Sequence, residues 1–77
     1  MTVLLFARAR DVLGSERLEL PACATVGELR QELMRRYPLL AGLLKKSAFA
    51  VNDDFADDAD AIPAGAEVAL LPPVSGG

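Results

Sequence analysis

The chain closes on Pro72-Pro73-Val74-Ser75-Gly76-Gly77, and this stretch carries the chemistry the sequence most clearly offers. Two terminal glycines remove every side chain from the neighbourhood of the final carboxylate. A narrow channel in a partner can admit such an end, and an incoming nucleophile meets little obstruction there. The proline pair favours an extended approach that projects away from a folded body. Gly77 is therefore read as the reacting residue and Gly76 as its unobstructed neighbour, with Pro72, Pro73, Val74 and Ser75 as the segment a partner grips. Terminal glycines alone also suit a loose end; the surrounding residues give these their weight.

The remaining residues exclude most other chemistry. The 77 residues contain no histidine and one cysteine, so no internal disulfide, Ser-His or Cys-His pair, or zinc cluster can be assembled. Cys23, close to Pro21, is read as a small apolar residue. Asp53, Asp54, Asp57, Asp58 and Asp60 form an acidic cluster, but they lack the ligand spacing and closing glutamate of a calcium loop. They are read as solvated, and Lys45-Lys46 as a solvated helix end. No metal and no bound cofactor are expected.

Eight basic residues are scattered among eleven acidic ones, for a net charge of -3. That balance argues against nucleic acid, which needs a concentrated basic face, and favours docking onto a basic protein surface. The apolar start, Met1 to Phe6, breaks at Arg8 and lacks a basic leader, so neither a signal peptide nor a membrane span is expected. A cytoplasmic location is the default expectation.

Positioning the tail requires one small domain, read as residues 1–71, followed by an extended tail over 72–77. Hydrophobic residues make up 52% of the chain, enough for a thin aliphatic core at this size. Val3 to Ala7 predicts a first strand, and Arg17 to Leu20 a second, alternating one that Pro21 stops. Gly14 lies in the connection between them, with a single helical turn over Ala9 to Leu13. Thr25-Val26-Gly27-Glu28 has the spacing of a capping box. Val26, Leu29, Leu33 and Tyr37 recur at helical spacing behind it, with Arg30, Gln31, Glu32, Arg35 and Arg36 assigned to the opposite face. Pro38 ends that helix, and Leu39 to Lys46 forms a further short one. Ala48 to Val51 predicts a buried strand, Asn52-Asp53-Asp54 a turn, and Asp57 to Ala61 a polar loop. A weak short strand precedes the last strand, Glu67 to Leu71, which Pro72-Pro73 terminates.

One helix covers only one face of such a sheet, yet the first and last strands are apolar on both. Val3, Leu5, Val68 and Leu70 are placed beneath the helix, because Thr2 and Arg8 fall in phase with Leu4 and Phe6. Leu4, Phe6 and Leu71 are then left as an uncovered patch beside the tail, and such a patch marks a protein interface. Phe6 and Leu71 join the tail residues as partner-binding candidates.

A series of motifs, taken in order, resembles one family. Leu5-Phe6-Ala7-Arg8-Ala9-Arg10 is followed by Gly14, Leu20-Pro21, and Ala24-Thr25-Val26-Gly27-Glu28-Leu29. Ala50-Val51-Asn52, Gly65-Ala66-Glu67-Val68-Ala69 and Pro72-Pro73-Val74-Ser75-Gly76-Gly77 complete it. Over nearly its whole length the chain resembles the small subunits of molybdopterin synthase. The resemblance implies an α+β fold of the ubiquitin-like β-grasp type, a mixed sheet packed on one main helix with a flexible Gly-Gly tail. It implies three partners: an adenylyltransferase related to the ubiquitin-activating enzymes, a sulfur donor protein, and the large catalytic subunit of the synthase. The first consumes ATP to adenylate Gly77, and the second converts the adenylate to a thiocarboxylate. The large subunit then receives the tail, whose sulfur passes to a pterin precursor in molybdenum-cofactor synthesis. By this resemblance the chain is a sulfur-donating subunit, and not an enzyme on its own. Leu70 and Leu71 stand where the family pattern has aromatic residues, a change that keeps the patch apolar.

Three other readings fit part of this sequence. A sulfur carrier for thiamine synthesis or tRNA thiolation shares the Gly-Gly end, and a ubiquitin-like modifier would join the same carboxylate to lysines. A β-grasp interaction domain with an inert tail belongs to a different class. Removing Gly76 and Gly77 would leave only the last of these active.

Overall fold

The computed structural model describes residues 1–73. Val74, Ser75, Gly76 and Gly77, to which the flexible-tail expectation chiefly applies, lie outside the described residues. Among the described residues, five strands form one mixed sheet in the order β2-β1-β5-β3-β4. β1 (Thr2–Leu5) pairs antiparallel with β2 (Arg17–Glu19) and parallel with the central strand β5 (Glu67–Leu71). β3 (Ala48–Val51) pairs antiparallel with β5 and with β4 (Asp54–Ala56).

Beneath this sheet lies α2 (Val26–Arg36), and its sequence explains both of its ends. The Thr25 hydroxyl accepts the Glu28 N–H at 3.2 Å, as the capping spacing requires. The first helical N–H groups, of Val26 and Gly27, donate to the carbonyls of Asp60 and Asp58. Gly27 permits this approach, since a Cβ there would stand 3.1 Å from the Asp58 carbonyl oxygen. The polar loop after Asp57 is exposed, as expected, and also braces the helix N-terminus. Tyr37 caps the other end, and Pro38 opens a 3-10 turn (Pro38–Leu40) that runs into α3 (Ala41–Lys46).

Val26, Leu29 and Leu33 of α2 pack into one core with Val3, Leu5, Phe49, Val68 and Leu70 of the sheet, closed by Leu40 and Leu44. The expected face assignment holds. Its support from Arg8 does not, because the first strand is shorter than expected. The chain leaves the sheet after Leu5, and Ala7, with a left-handed φ of 50°, opens α1 (Ala7–Leu13), a helix of nearly two turns. Arg8 therefore sits on a helix, and the β1–β2 connection contains one. Gly14, at φ 66°, ends α1 in the left-handed conformation that glycine adopts without strain. The Asn52-Asp53 turn has positive φ at both residues, the geometry of a two-residue hairpin, so Asp54 belongs to β4 rather than to the turn.

Arg30 corrects a second expectation. It was placed on the solvent face of α2, yet its side chain is only 15% exposed. One guanidinium nitrogen donates to the carbonyls of Leu44 and Ser47, which terminate α3, and two others reach Asp58 Oδ1 at 2.8 and 3.1 Å. The group lies 5.0 Å from the centre of the Phe49 ring. A single cation thus ties α2, α3 and the brace together, with its aliphatic stem packed inward.

Candidate functional site at the end of the central strand

The tail leaves from the middle of the sheet. Leu71 makes the last pairing of β5, opposite Ala48, and the next residue, Pro72, has no N–H to continue the ladder. Leu71 and Pro72 are half-buried, and Pro73 is exposed. Phe6 follows the end of the neighbouring β1, is 42% exposed, and shares a shallow hollow with Leu4, Arg10 and Arg17. The described site candidates, Phe6 and Leu71 to Pro73, therefore gather at one end of the molecule. Val74 to Gly77 are outside the described residues.

Strand register builds the open face beside that exit. Across the sheet, Arg17, Leu4, Ala69, Ala50 and Phe55 are successive partners, with Leu71 and Ala48 paired alongside. No described helix covers this side: α2 packs against Val3, Leu5, Val68 and Leu70, the residues that alternate with it. Phe55, 79% exposed, extends the apolar face to the sheet edge and was missed in the sequence reading. The signal was present, as one large aromatic in a stretch otherwise polar or small. Leu39, 92% exposed at the 3-10 turn, was missed likewise.

Among the described residues, no group of three or more cysteine, aspartate or glutamate side chains could hold a metal. Asp60 accepts the Asp57 N–H and Asp58 holds Arg30, so these acids serve the fold. Cys23 is half-buried against the core, and its thiol faces the Pro21 carbonyl at 3.7 Å. Burial, with Glu28 and Glu32 nearby, pushes that thiol above its ordinary pKa. It is therefore a poor nucleophile at neutral pH. No described helix is long and apolar enough to cross a membrane.

Fold and site together define a β-grasp protein of the ubiquitin-like class, with Pro72 and Pro73 leading out of the central strand. The chain belongs to the ThiS family, whose model matches residues 3–77. It is 35% identical to the molybdopterin synthase sulfur carrier subunit of Chlamydomonas reinhardtii, over 97% of this chain and 95% of that one. Among solved structures it resembles subunit 1 or 2 in the complex of those subunits of the molybdopterin-converting factor from Helicobacter pylori. That likeness has a TM-score of 0.70 and 30% identity, covering 99% of this chain and 96% of the other. The small archaeal modifier protein 1 of Haloferax volcanii is similarly close, with a TM-score of 0.74, 31% identity and 95% of each chain covered.

Proposed function

We propose that this chain is the sulfur-carrier small subunit of molybdopterin synthase, with the Gly77 carboxylate as its working group. One observation carries the reading: the central strand runs directly into a proline pair and, in the sequence, a Gly-Gly end, beside an apolar face that no described helix covers. The names of the relatives support the same function.

A carboxylate is a poor electrophile, and the proposed route overcomes this in two exchanges. An activating adenylyltransferase joins the Gly77 carboxylate to AMP and releases pyrophosphate from ATP. A sulfur donor then displaces AMP, leaving one carboxylate oxygen replaced by sulfur. Docking on the large subunit delivers this thiocarboxylate to a pterin precursor, so that a folded handle turns an encounter in solution into a directed one. The chain supplies no base and no reactive thiol, so stabilisation of the transition states falls to the partners. It holds no cofactor in this scheme, and the cytoplasm is its proposed place of action.

Incubating the protein with ATP, the activating enzyme and a sulfur donor tests this. Intact mass should rise by the exchange of one oxygen for sulfur, and deleting Gly77 should abolish the rise. No change, with an activating enzyme competent on another carrier, overturns the reading. The likeness to the archaeal modifier motivates one rival, in which the activated carboxylate forms isopeptide bonds. Lysine-linked adducts in the same reaction would favour it.

A further inference from the structure

A groove beside the tail exit has no part in the chemistry above. It runs between α1 and α3, with Val12, Leu39 and Leu43 on its walls, Arg8 and Lys46 at its margins, and Pro73 contributing to one side. Its apolar walls are unusually open, Val12 being 50% and Leu39 92% exposed.

Charge is unevenly placed around it. Three arginines are ion-paired within the fold, Arg30 with Asp58, and Arg35 and Arg36 with Glu32. Arg8 and Lys46 make no ion pair among the described residues. Asp53 and Asp54 lie on the β3–β4 hairpin and Glu67 at the start of β5, the end of the sheet opposite the tail. The net charge of -3 pointed to a basic partner surface, yet at the end that presents the tail Arg8, Arg10, Arg17, Lys45 and Lys46 outnumber Asp11 and Glu16, so that end is locally cationic.

Position supplies the occupant. Four residues follow Pro73, and fully extended they reach at most about 14 Å. An active site that holds the Gly77 carboxylate must therefore bring its rim up against Pro73 and the groove. We propose that the groove receives an apolar side chain flanked by carboxylates on the large subunit of the synthase. This rests on the function proposed above. The large subunit is the choice because a chain of similar fold from Helicobacter pylori is found in complex with a second subunit. Arg8 and Lys46 then set the rate of encounter and the register of docking, while Leu39 fills the partner's complementary pocket.

Titrating the full chain against the purified large subunit tests the proposal, using Leu39→Asp, Leu39→Ala and the double reversal Arg8→Glu/Lys46→Glu. Leu39→Asp and the charge reversal should each weaken binding by about tenfold or more, as central contacts and complementary charges do. The reversal should also remove much of the salt dependence. Urea midpoints should move no more than surface substitutions do, because Leu39 and both basic side chains are exposed, and Leu39→Ala repeats the test without introducing a charge. Pyrophosphate exchange by the activating enzyme should be unaffected. Unchanged affinity overturns the proposal, and so does a loss confined to pyrophosphate exchange, which would assign the groove to the activating enzyme. Failure of the unmodified chain to bind the large subunit would overturn the functional reading as well. Binding by it that the variants leave untouched overturns the groove alone.

Discussion

Neighbouring residues of β1 and β5 meet opposite fates. Val3, Leu5, Val68 and Leu70 are at most 2% exposed beneath α2, while Leu4, Ala69 and Leu71, one step along, remain half-open on the far side. Both faces are apolar, so composition does not distinguish them; only the presence of a helix does. One face stabilises the fold. The other keeps apolar surface available at the end where the tail leaves, which is what a protein that works by docking requires.

Replacing one residue at a time can break or sharpen that contrast. The largest effect is expected on the covered face. Leu70→Ala should cost about 2–5 kcal/mol of stability, read from urea unfolding, because it opens a cavity between α2 and the sheet. A cost comparable to that of a surface substitution would show that the core does not lie where the register puts it.

Next comes Arg30→Ala, which leaves the carbonyls that end α3 without their donor. A loss of about 1–3 kcal/mol is expected. Arg30→Lys should recover only part of it, since one ammonium cannot reproduce the forked contacts to both α3 and Asp58. Full recovery by lysine would reduce the hub to a simple charge.

The smallest effect belongs to Glu32, on the solvent side of α2. Hydrogen bonds from Arg35 and then Arg36 hold its carboxyl below the usual carboxylate range. A pKa lower in the folded state than in the unfolded one gives stabilisation that is present above the unfolded value. It is lost as pH falls through the folded value. Glu32→Gln should therefore lower the urea midpoint slightly at neutral pH, and the gap should close in acid. A gap that widens in acid would contradict the sign.

Local rules made much of this fold legible before any coordinates. Thr25 and Glu28 announced the start of α2, its stripe of Val26, Leu29 and Leu33 named the buried side, and the phase of Thr2 with Leu4 assigned the sheet faces. What escaped depended on contacts distant in sequence. Arg30 looks like a solvent-facing charge because pattern alone cannot show two helix-terminal carbonyls and Asp58 converging on it. Phe6 and Ala7 continue the apolar run of the first strand, so the early departure of the chain into α1 went unseen. Phe55 was passed over because it stands alone in sequence, and Leu39 because it sits among Leu40, Leu43 and Leu44; only the pairing of β4 with β3 and the placement of the 3-10 turn show what they adjoin. The working end itself was legible, since Gly76-Gly77 after a proline pair needs no tertiary context to suggest its chemistry.

The contrast between the two faces is tested most directly by the affinity of Phe6→Asp for the large synthase subunit. Phe6 lies outside the core, and aspartate is a favoured residue at the helix N-cap position it occupies, so the urea midpoint should stay within the range of surface substitutions. The account predicts binding weakened by about tenfold or more with folding intact. Unchanged affinity in a folded variant would contradict it, and would leave the open face without the role assigned to it.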